Sequence, residues 1–163
     1  MKTQLLDAQQ IELKLNRLAV EIYENNMQEE ELLFVGIEGR GVDMAKLLKK
    51  KIEKISDLSI KMYTLAIDKE SPVDSHITEA MNCDGKSIIL IDDVANSGKT
   101  LMFALKNFLM VIPKKIQIAV MVDRKHKRYP VTADYIGMQI STTLQEHIVV
   151  CVEKGQLKQV YIE

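Results

Sequence analysis

Residues 87–101 read SIILIDDVANSGKTL, an apolar run followed by two adjacent aspartates and a Gly-Lys-Thr tripeptide. The apolar part, 87–91, has the look of a buried strand, and the polar residues after it read as a turn opening a helix. Gly98-Lys99-Thr100 invites comparison with a nucleotide-binding P-loop, which needs a glycine five residues before the glycine of Gly-Lys-Thr so that backbone amides can wrap a triphosphate. Asp93 occupies that position. Its carboxylate repels a triphosphate and blocks the close backbone approach, so the P-loop reading fails. The hydroxyls of Ser97 and Thr100 and the amides of the turn suit a single phosphate monoester instead. Asp92 and Asp93, at the expected strand end, are acceptors for ribose 2′- and 3′-hydroxyls, directly or through a bound magnesium ion. A sugar beside one phosphate describes a ribose 5-phosphate.

Outward from this stretch, apolar strands alternate with amphipathic helices. Asp7 is placed to cap a helix whose Ile11, Leu15, Leu18, Ala19 and Ile22 share a face, ending near Asn25–Asn26. A continuous apolar run at 32–37 closes on EGRG, after which Val42, Ala45, Leu48 and Ile52 follow helical spacing. Strands are expected at 58–65, 115–122, 133–137, 147–153 and 159–163, a helix over 100–112, and a mobile polar loop, broken by Pro72, over 66–80. This order predicts an α/β fold, a doubly wound parallel sheet whose ligands bind at the carboxyl ends of strands. Both glycine turns and the aspartate pair lie at such ends.

Composition bounds the alternatives. The chain has 163 residues, 47% hydrophobic, with a net charge of -1, which suits one domain, 1–163, with a core large enough to fold without disulfides. Cys83 and Cys151 have neither Cys-x-x-Cys spacing nor a histidine companion, which argues against a zinc or redox site. MKTQLLDAQQ lacks the apolar core of a signal peptide, and no run approaches a membrane span. The expected location is the cytoplasm, with no membrane partner.

Four apolar residues, Asp-Asp, three residues and Ser-Gly-x-Thr together resemble the 5-phosphoribosyl-1-pyrophosphate (PRPP) motif of type I phosphoribosyltransferases. That family's fold is a doubly wound parallel sheet with a small hood, expected here at the C-terminus. The segment VDRKHKRYPVTADYIGMQISTTLQEHIVV (122–150) narrows the resemblance to the PyrR family, pyrimidine operon attenuators that are also uracil phosphoribosyltransferases. LDAQQIELKLNRLAVEIYENN, FVGIEGRGVDMAKLL and CDGKSIILIDDVANSGKT fall in the same order, so the resemblance covers nearly the whole chain.

The resemblance implies roles residue by residue. PRPP with Mg2+ would lie over Asp92, Asp93, Val94, Ala95, Asn96, Ser97, Gly98, Lys99 and Thr100, with its pyrophosphate at Glu38, Gly39, Arg40 and Gly41. Asp92, Asp93 and Arg40 would serve catalysis, and the two aspartates would hold metal through substrate or water. Asp123 and Arg124 would sit at the base edge, where two such residues otherwise form a structural ion pair. Ile140, Ser141, Thr142 and Thr143 would supply hood backbone to the base. The loop over 66–80 would close over the substrates and exclude water, with Lys69 reaching the pyrophosphate.

Departures from the family pattern accompany the match. Glu38 brings a negative charge to the pyrophosphate turn, where Thr-Arg-Gly is usual. The closing loop is short and lacks an arginine-acid-acid cluster, and Leu144 stands at an expected arginine position. Three readings remain: transfer of ribose 5-phosphate to uracil, the same transfer to a purine, and a PRPP- or nucleotide-sensing RNA-binding regulator with weak or no catalysis. For RNA, Lys49–Lys51 and the run Arg124, Lys125, His126, Lys127, Arg128 form a modest basic footprint. A homodimer or higher homo-oligomer is expected from the resemblance.

Overall fold

The computed structural model describes residues 1–143 and 145–163. A short strand absent from the sequence expectations, β1 (Thr3–Leu6), precedes the first helix, α1 (Ala8–Glu24). Asp7 caps α1 as its spacing predicts. Its carboxylate accepts from the Gln10 amide at 2.8 Å while the Gln10 side chain accepts from the Asp7 amide at 2.9 Å, satisfying two N–H groups that a helix start leaves unpaired.

The chain continues through β2 (Glu31–Ile37), α2 (Arg40–Ile55), β3 (Ser59–Ala66), the two-residue β4 (His76–Ile77), β5 (Ser87–Ala95), α3 (Lys99–Leu105), β6 (Lys115–Arg124) and β7 (Tyr135–Ile140). These strands form a six-stranded sheet in the order β4-β3-β2-β5-β6-β7. All neighbours are parallel except β4, which runs antiparallel along β3 at the edge. From β2 the chain winds outward to β3, whereas β5, β6 and β7 wind the other way. The reversal falls between β2 and β5, where diverging connections leave a crevice at the carboxyl ends.

Helices cover both faces, which is why the central strands read as unbroken apolar runs. On one face, α1 and α2 pack Leu15, Leu18, Met44 and Leu48 against Phe34, Ile89, Ile91 and Met121. On the other, Leu101 and Ala104 of α3, with Phe108, meet Val35, Leu90 and Val120. The period-two alternation of side chains along each strand assigns Phe34 to one face and Val35 to the other.

The last two strands, β8 (Ile148–Glu153) and β9 (Gln156–Ile162), form a separate three-stranded antiparallel sheet in the order β1-β9-β8. The expected C-terminal hood is therefore completed by the N-terminus, with Thr3 opposite Ile162. Only Leu6 of β1 is buried, so this strand has almost no apolar pattern to read. Ile148, Val150, Leu157 and Val160 of the hood join the same core as α1 and α2.

Three other expectations shift. β5 runs past Ile91 to Ala95, pairing Val94 with Val122 and Ala95 with Asp123, so the aspartates lie within the strand. The helix expected over 100–112 stops at Leu105 and tightens into a 3-10 turn, Lys106–Phe108. Phe108 is the last buried residue there; Leu109, Met110 and Ile112 are exposed, with no core to face. The loop expected over 66–80 contains a 3-10 turn, Pro72–Asp74, as well as β4. No described helix is long and apolar enough to cross a membrane.

Candidate active site

The crevice at the β2/β5 reversal gathers the turns singled out in the sequence. Beyond β2, Glu38 and Gly39 are exposed and Arg40 begins α2. The Glu38 amide donates to the Leu65 carbonyl at 2.9 Å, tying the turn to β3. Gly41 lets α2 press directly on β5: a Cβ there would stand 2.7 Å from the Ile91 carbonyl oxygen and 3.3 Å from the Asp92 Cα. Gly41 thus packs closely against the β5 backbone at Ile91 and Asp92.

Asp92 and Asp93 are 1% and 3% exposed. The Asp93 amide donates to Asp92 Oδ1 at 2.9 Å, and Arg40 Nη1 stands 3.6 Å from Asp93 Oδ2. Burial first, then the negative charge of Asp93, pushes the Asp92 carboxyl well above its ordinary range; the nearby Lys69 ammonium acts in the opposite direction. Lys69 also borders a cavity of about 70 Å³ with residues 94–101. Lys69 of the polar loop therefore lies beside the turn over 94–100.

Within that turn, Ser97 Oγ accepts from the Lys99 amide at 3.2 Å. Gly98 adopts φ 82°, and a Cβ on it would lie 3.2 Å from the Tyr129 carbonyl oxygen, so both its conformation and its neighbour favour glycine. The Ser97 carbonyl accepts from the amides of Arg128 and Tyr129, each at 3.0 Å. The half-buried Val94, Lys99 and Thr100, the buried Ala95 and the exposed Asn96 complete the turn.

Asp123 lies near the end of β6 with 1% exposure. Its partner is not Arg124: Lys127 Nζ lies 2.6 Å from Asp123 Oδ1, and Gln139 Nε2 donates to Oδ2 at 3.0 Å. The Arg124 guanidinium donates to the Thr143 carbonyl instead. Adjacent strand residues point to opposite faces, which separates Asp123 from Arg124. Ile140 is the last residue of β7 in the main sheet, not of the hood, and its carbonyl accepts from the Lys125 amide at 3.0 Å. Ser141 is exposed, and the Thr142 hydroxyl oxygen is buried without a partner among the described residues. Leu144 lies outside the described residues. Lys127 and Gln139 are the neighbours missed in the sequence; Lys127 was hidden in a basic run that reads as a solvated face.

A larger cavity, about 550 Å³, opens at the opposite end of the sheet beside Glu29, Glu31, Lys86 and Lys114. Its charges pair among themselves, Lys114 with Glu29 at 2.8 Å and Lys86 with Glu31 at 3.6 Å. Strand polarity and the aspartate pair, not cavity size, locate the site. Among the described residues no three His, Cys, Asp or Glu side chains cluster to hold a metal ion. Two carboxylates suit magnesium that takes most of its oxygen ligands from a phosphorylated substrate and water.

A doubly wound sheet with this crevice, a glycine turn at the end of β2 and a buried Asp-Asp pair on β5 has the fold of the type I phosphoribosyltransferases, and the phosphoribosyl transferase domain model matches residues 1–155. Solved structures agree on the fold. The hypoxanthine phosphoribosyltransferase of Trypanosoma cruzi superposes with a TM-score of 0.81 at 12% identity, covering 99% of this chain and 97% of that one. A hypoxanthine-guanine phosphoribosyltransferase from Bacillus anthracis gives 0.76 at 22% identity, covering 98% and 99%. In sequence, the bifunctional protein PyrR of Oceanobacillus iheyensis is 38% identical over 161 residues, 91% of this chain and 89% of the relative. PyrR of Haemophilus ducreyi is 31% identical over 163 residues, 94% and 91% of the two chains. The chain belongs to the PyrR family of phosphoribosyltransferase-domain proteins.

Proposed function

We propose that the protein transfers ribose 5-phosphate from PRPP to uracil and releases pyrophosphate. The observation that carries this reading is the close approach of the β2 turn to the buried Asp92–Asp93 pair, Gly41 against the β5 backbone and Arg40 3.6 Å from Asp93, beside the turn over 94–100. The reacting sugar would be bracketed on one side by amides and the Arg40 guanidinium for pyrophosphate, and on the other by amides, Ser97 and Thr100 for the 5-phosphate. Asp92 and Asp93 would accept from the ribose hydroxyls. The base nitrogen forms a bond to C1 as the bond from C1 to the pyrophosphate oxygen breaks, and the nitrogen's proton leaves to solvent. Positioning and stabilisation of leaving-group charge suffice, with no covalent nucleophile. Magnesium held with PRPP would supply further neutralisation of the pyrophosphate. On the acceptor side, the buried Thr142 hydroxyl and the Asp123 carboxylate support a base that presents both donors and acceptors.

The test is pyrophosphate release from PRPP and magnesium with uracil, hypoxanthine, guanine and orotate in turn. Turnover with uracil is expected. Turnover with a purine alone would transfer the reading to purine salvage, and measurable PRPP binding without turnover would favour a sensor. The sensor reading has one specific support: exposed Glu38 in the pyrophosphate turn, where a negative charge opposes the leaving group.

The relatives' name, bifunctional, supports a second role, which we read as binding of pyrimidine leader RNA. Lys127 and Arg124 are engaged within the protein, Lys49 pairs with Glu53 and Lys51 with Glu12, which leaves Lys125, His126 and Arg128, with Lys50 on α2, as the exposed basic residues of these runs. Salt-sensitive retardation of a leader transcript is expected, and no retardation at low salt would end this part of the reading. Assembly into a homo-oligomer is the last part, supported by the exposed apolar side chains of Leu109, Met110 and Ile112. Residues 1–163 are read as one domain, because hood and main sheet share a core.

A further inference from the structure

Lys127 is 12% exposed at its side chain, and its ammonium lies against Asp123, itself 1% exposed. Two charges withdrawn from water seldom repay their dehydration through mutual attraction, so such a pair is weak evidence for stability and better evidence for a required position. The surroundings of Lys127 indicate which position. Its head fixes one Asp123 oxygen at 2.6 Å while Gln139 from β7 fixes the other at 3.0 Å. An ion pair from one segment and a hydrogen bond from another thereby hold the carboxylate, although Oδ1 itself accepts no hydrogen bond among the described residues.

The rest of the residue faces the phosphate turn. Lys127 Cδ lies 3.5 Å from the point where a Gly98 side chain would begin. The next two amides, of Arg128 and Tyr129, both donate to the Ser97 carbonyl at 3.0 Å. Three consecutive residues therefore bind the phosphate turn while the first also grips the base edge. A cavity of about 290 Å³ bordered by Asn96, Ser97, Arg124 and His147 lies beside this tie.

Resting on the phosphoribosyltransferase reading above, we propose that Lys127 is a positioning residue that sets the spacing between the 5-phosphate turn and the base edge. A ligand that occupies one of these subsites needs only that subsite to be intact. A nucleoside monophosphate, which spans both, also needs the distance between them. Loss of Lys127 should therefore penalise a spanning ligand beyond any penalty on PRPP, which lacks the base, or on uridine, which lacks the phosphate.

The experiment measures binding of uridine 5′-monophosphate, of uridine, and of PRPP with magnesium, by titration calorimetry, alongside thermal melts. Lys127→Met should weaken the monophosphate about tenfold more than either PRPP or uridine, the scale expected when bound groups are misplaced by a fraction of an ångström. It leaves Asp123 buried without its cation, so the double variant Asp123→Asn/Lys127→Met guards against simple misfolding. The double variant should recover the melting temperature, whereas Lys127→Arg, which keeps a cation on Asp123, should recover part of the melting temperature and of the monophosphate affinity. Weakening of the monophosphate no greater than that of PRPP or of uridine in Lys127→Met, or full recovery of monophosphate binding in the double variant, would overturn the inference and leave the functional reading standing. Wild-type protein that binds PRPP but not the monophosphate would overturn the uracil reading, and the inference with it.

Discussion

Gly41→Ala is the most direct probe of how the sheet builds the site. The added methyl would stand 2.7 Å from the Ile91 carbonyl oxygen, 3.1 Å from the Ile37 side chain and 3.3 Å from the Asp92 Cα. The first of these falls about 0.7 Å short of an ordinary contact. Ile91 and Asp92 belong to β5, which is paired on both sides by β2 and β6, so the strand has little freedom to give and the first turn of α2 must retreat. Overpacking of this kind costs about 1–3 kcal/mol, offset by up to about 1 kcal/mol from the better helix propensity of alanine. A net loss of about 1–2 kcal/mol corresponds to a melting temperature lower by about 2–8 °C for a chain of this size. The retreat also carries Arg40 away from Asp93, so PRPP affinity should fall by about ten- to a hundredfold. Differential scanning calorimetry and titration with PRPP and magnesium read the two effects. A variant that melts at or above the wild type with undiminished PRPP affinity would refute the contact between α2 and β5 as the builder of the site.

Asp92→Asn should separate stability from activity. Burial and the charge of Asp93 raise the Asp92 carboxyl, and a group raised in the folded state favours folding while protonated, a contribution lost as pH climbs through its folded-state value. The asparagine variant should therefore gain melting temperature relative to wild type as pH rises from acid towards neutral, while losing turnover; parallel melting curves at every pH would contradict this. Lys69→Met removes an exposed cation beside the 94–101 turn, so KM for PRPP should rise about tenfold or more, the scale of one hydrogen bond to a charged group. An unchanged KM would remove Lys69 from the site. Replacing Met110 and Ile112 together by lysine should shift sedimentation towards smaller species without unfolding, because both side chains are exposed; an unaltered distribution would acquit this turn of any part in assembly.

Residues 87–101 carried most of the legible information. Asp93 at the position where a P-loop needs glycine excluded a triphosphate cradle, and Asp-Asp followed by Ser-Gly-x-Thr called for a sugar beside one phosphate. The apolar runs of β2 and β5 likewise announced a sheet buried on both faces, because each is a local pattern and burial on both sides erases alternation. Chain-distant pairing left no such trace. β1 exists because Thr3 meets Ile162, and its own four residues contain a single buried side chain. The end of α3 was illegible for the opposite reason: Leu109, Met110 and Ile112 continue an apolar sequence, but these side chains stay exposed, and periodicity records hydrophobicity without recording whether a surface waits to receive it.

At the site, the kinds of group were readable and their partners were not. Asp123 could be recognised as a carboxylate at a strand end. That Lys127 rather than Arg124 holds it depends on the pleat of β6, which turns neighbouring side chains to opposite faces, and on a loop that folds back over Gly98. Sequence spacing thus pointed to the family and to the kinds of group at its candidate site, since motif residues lie within a few positions of one another. Which donor meets which acceptor was settled by the winding of the sheet, because that alone brings the β2, β5 and β6 ends together in space.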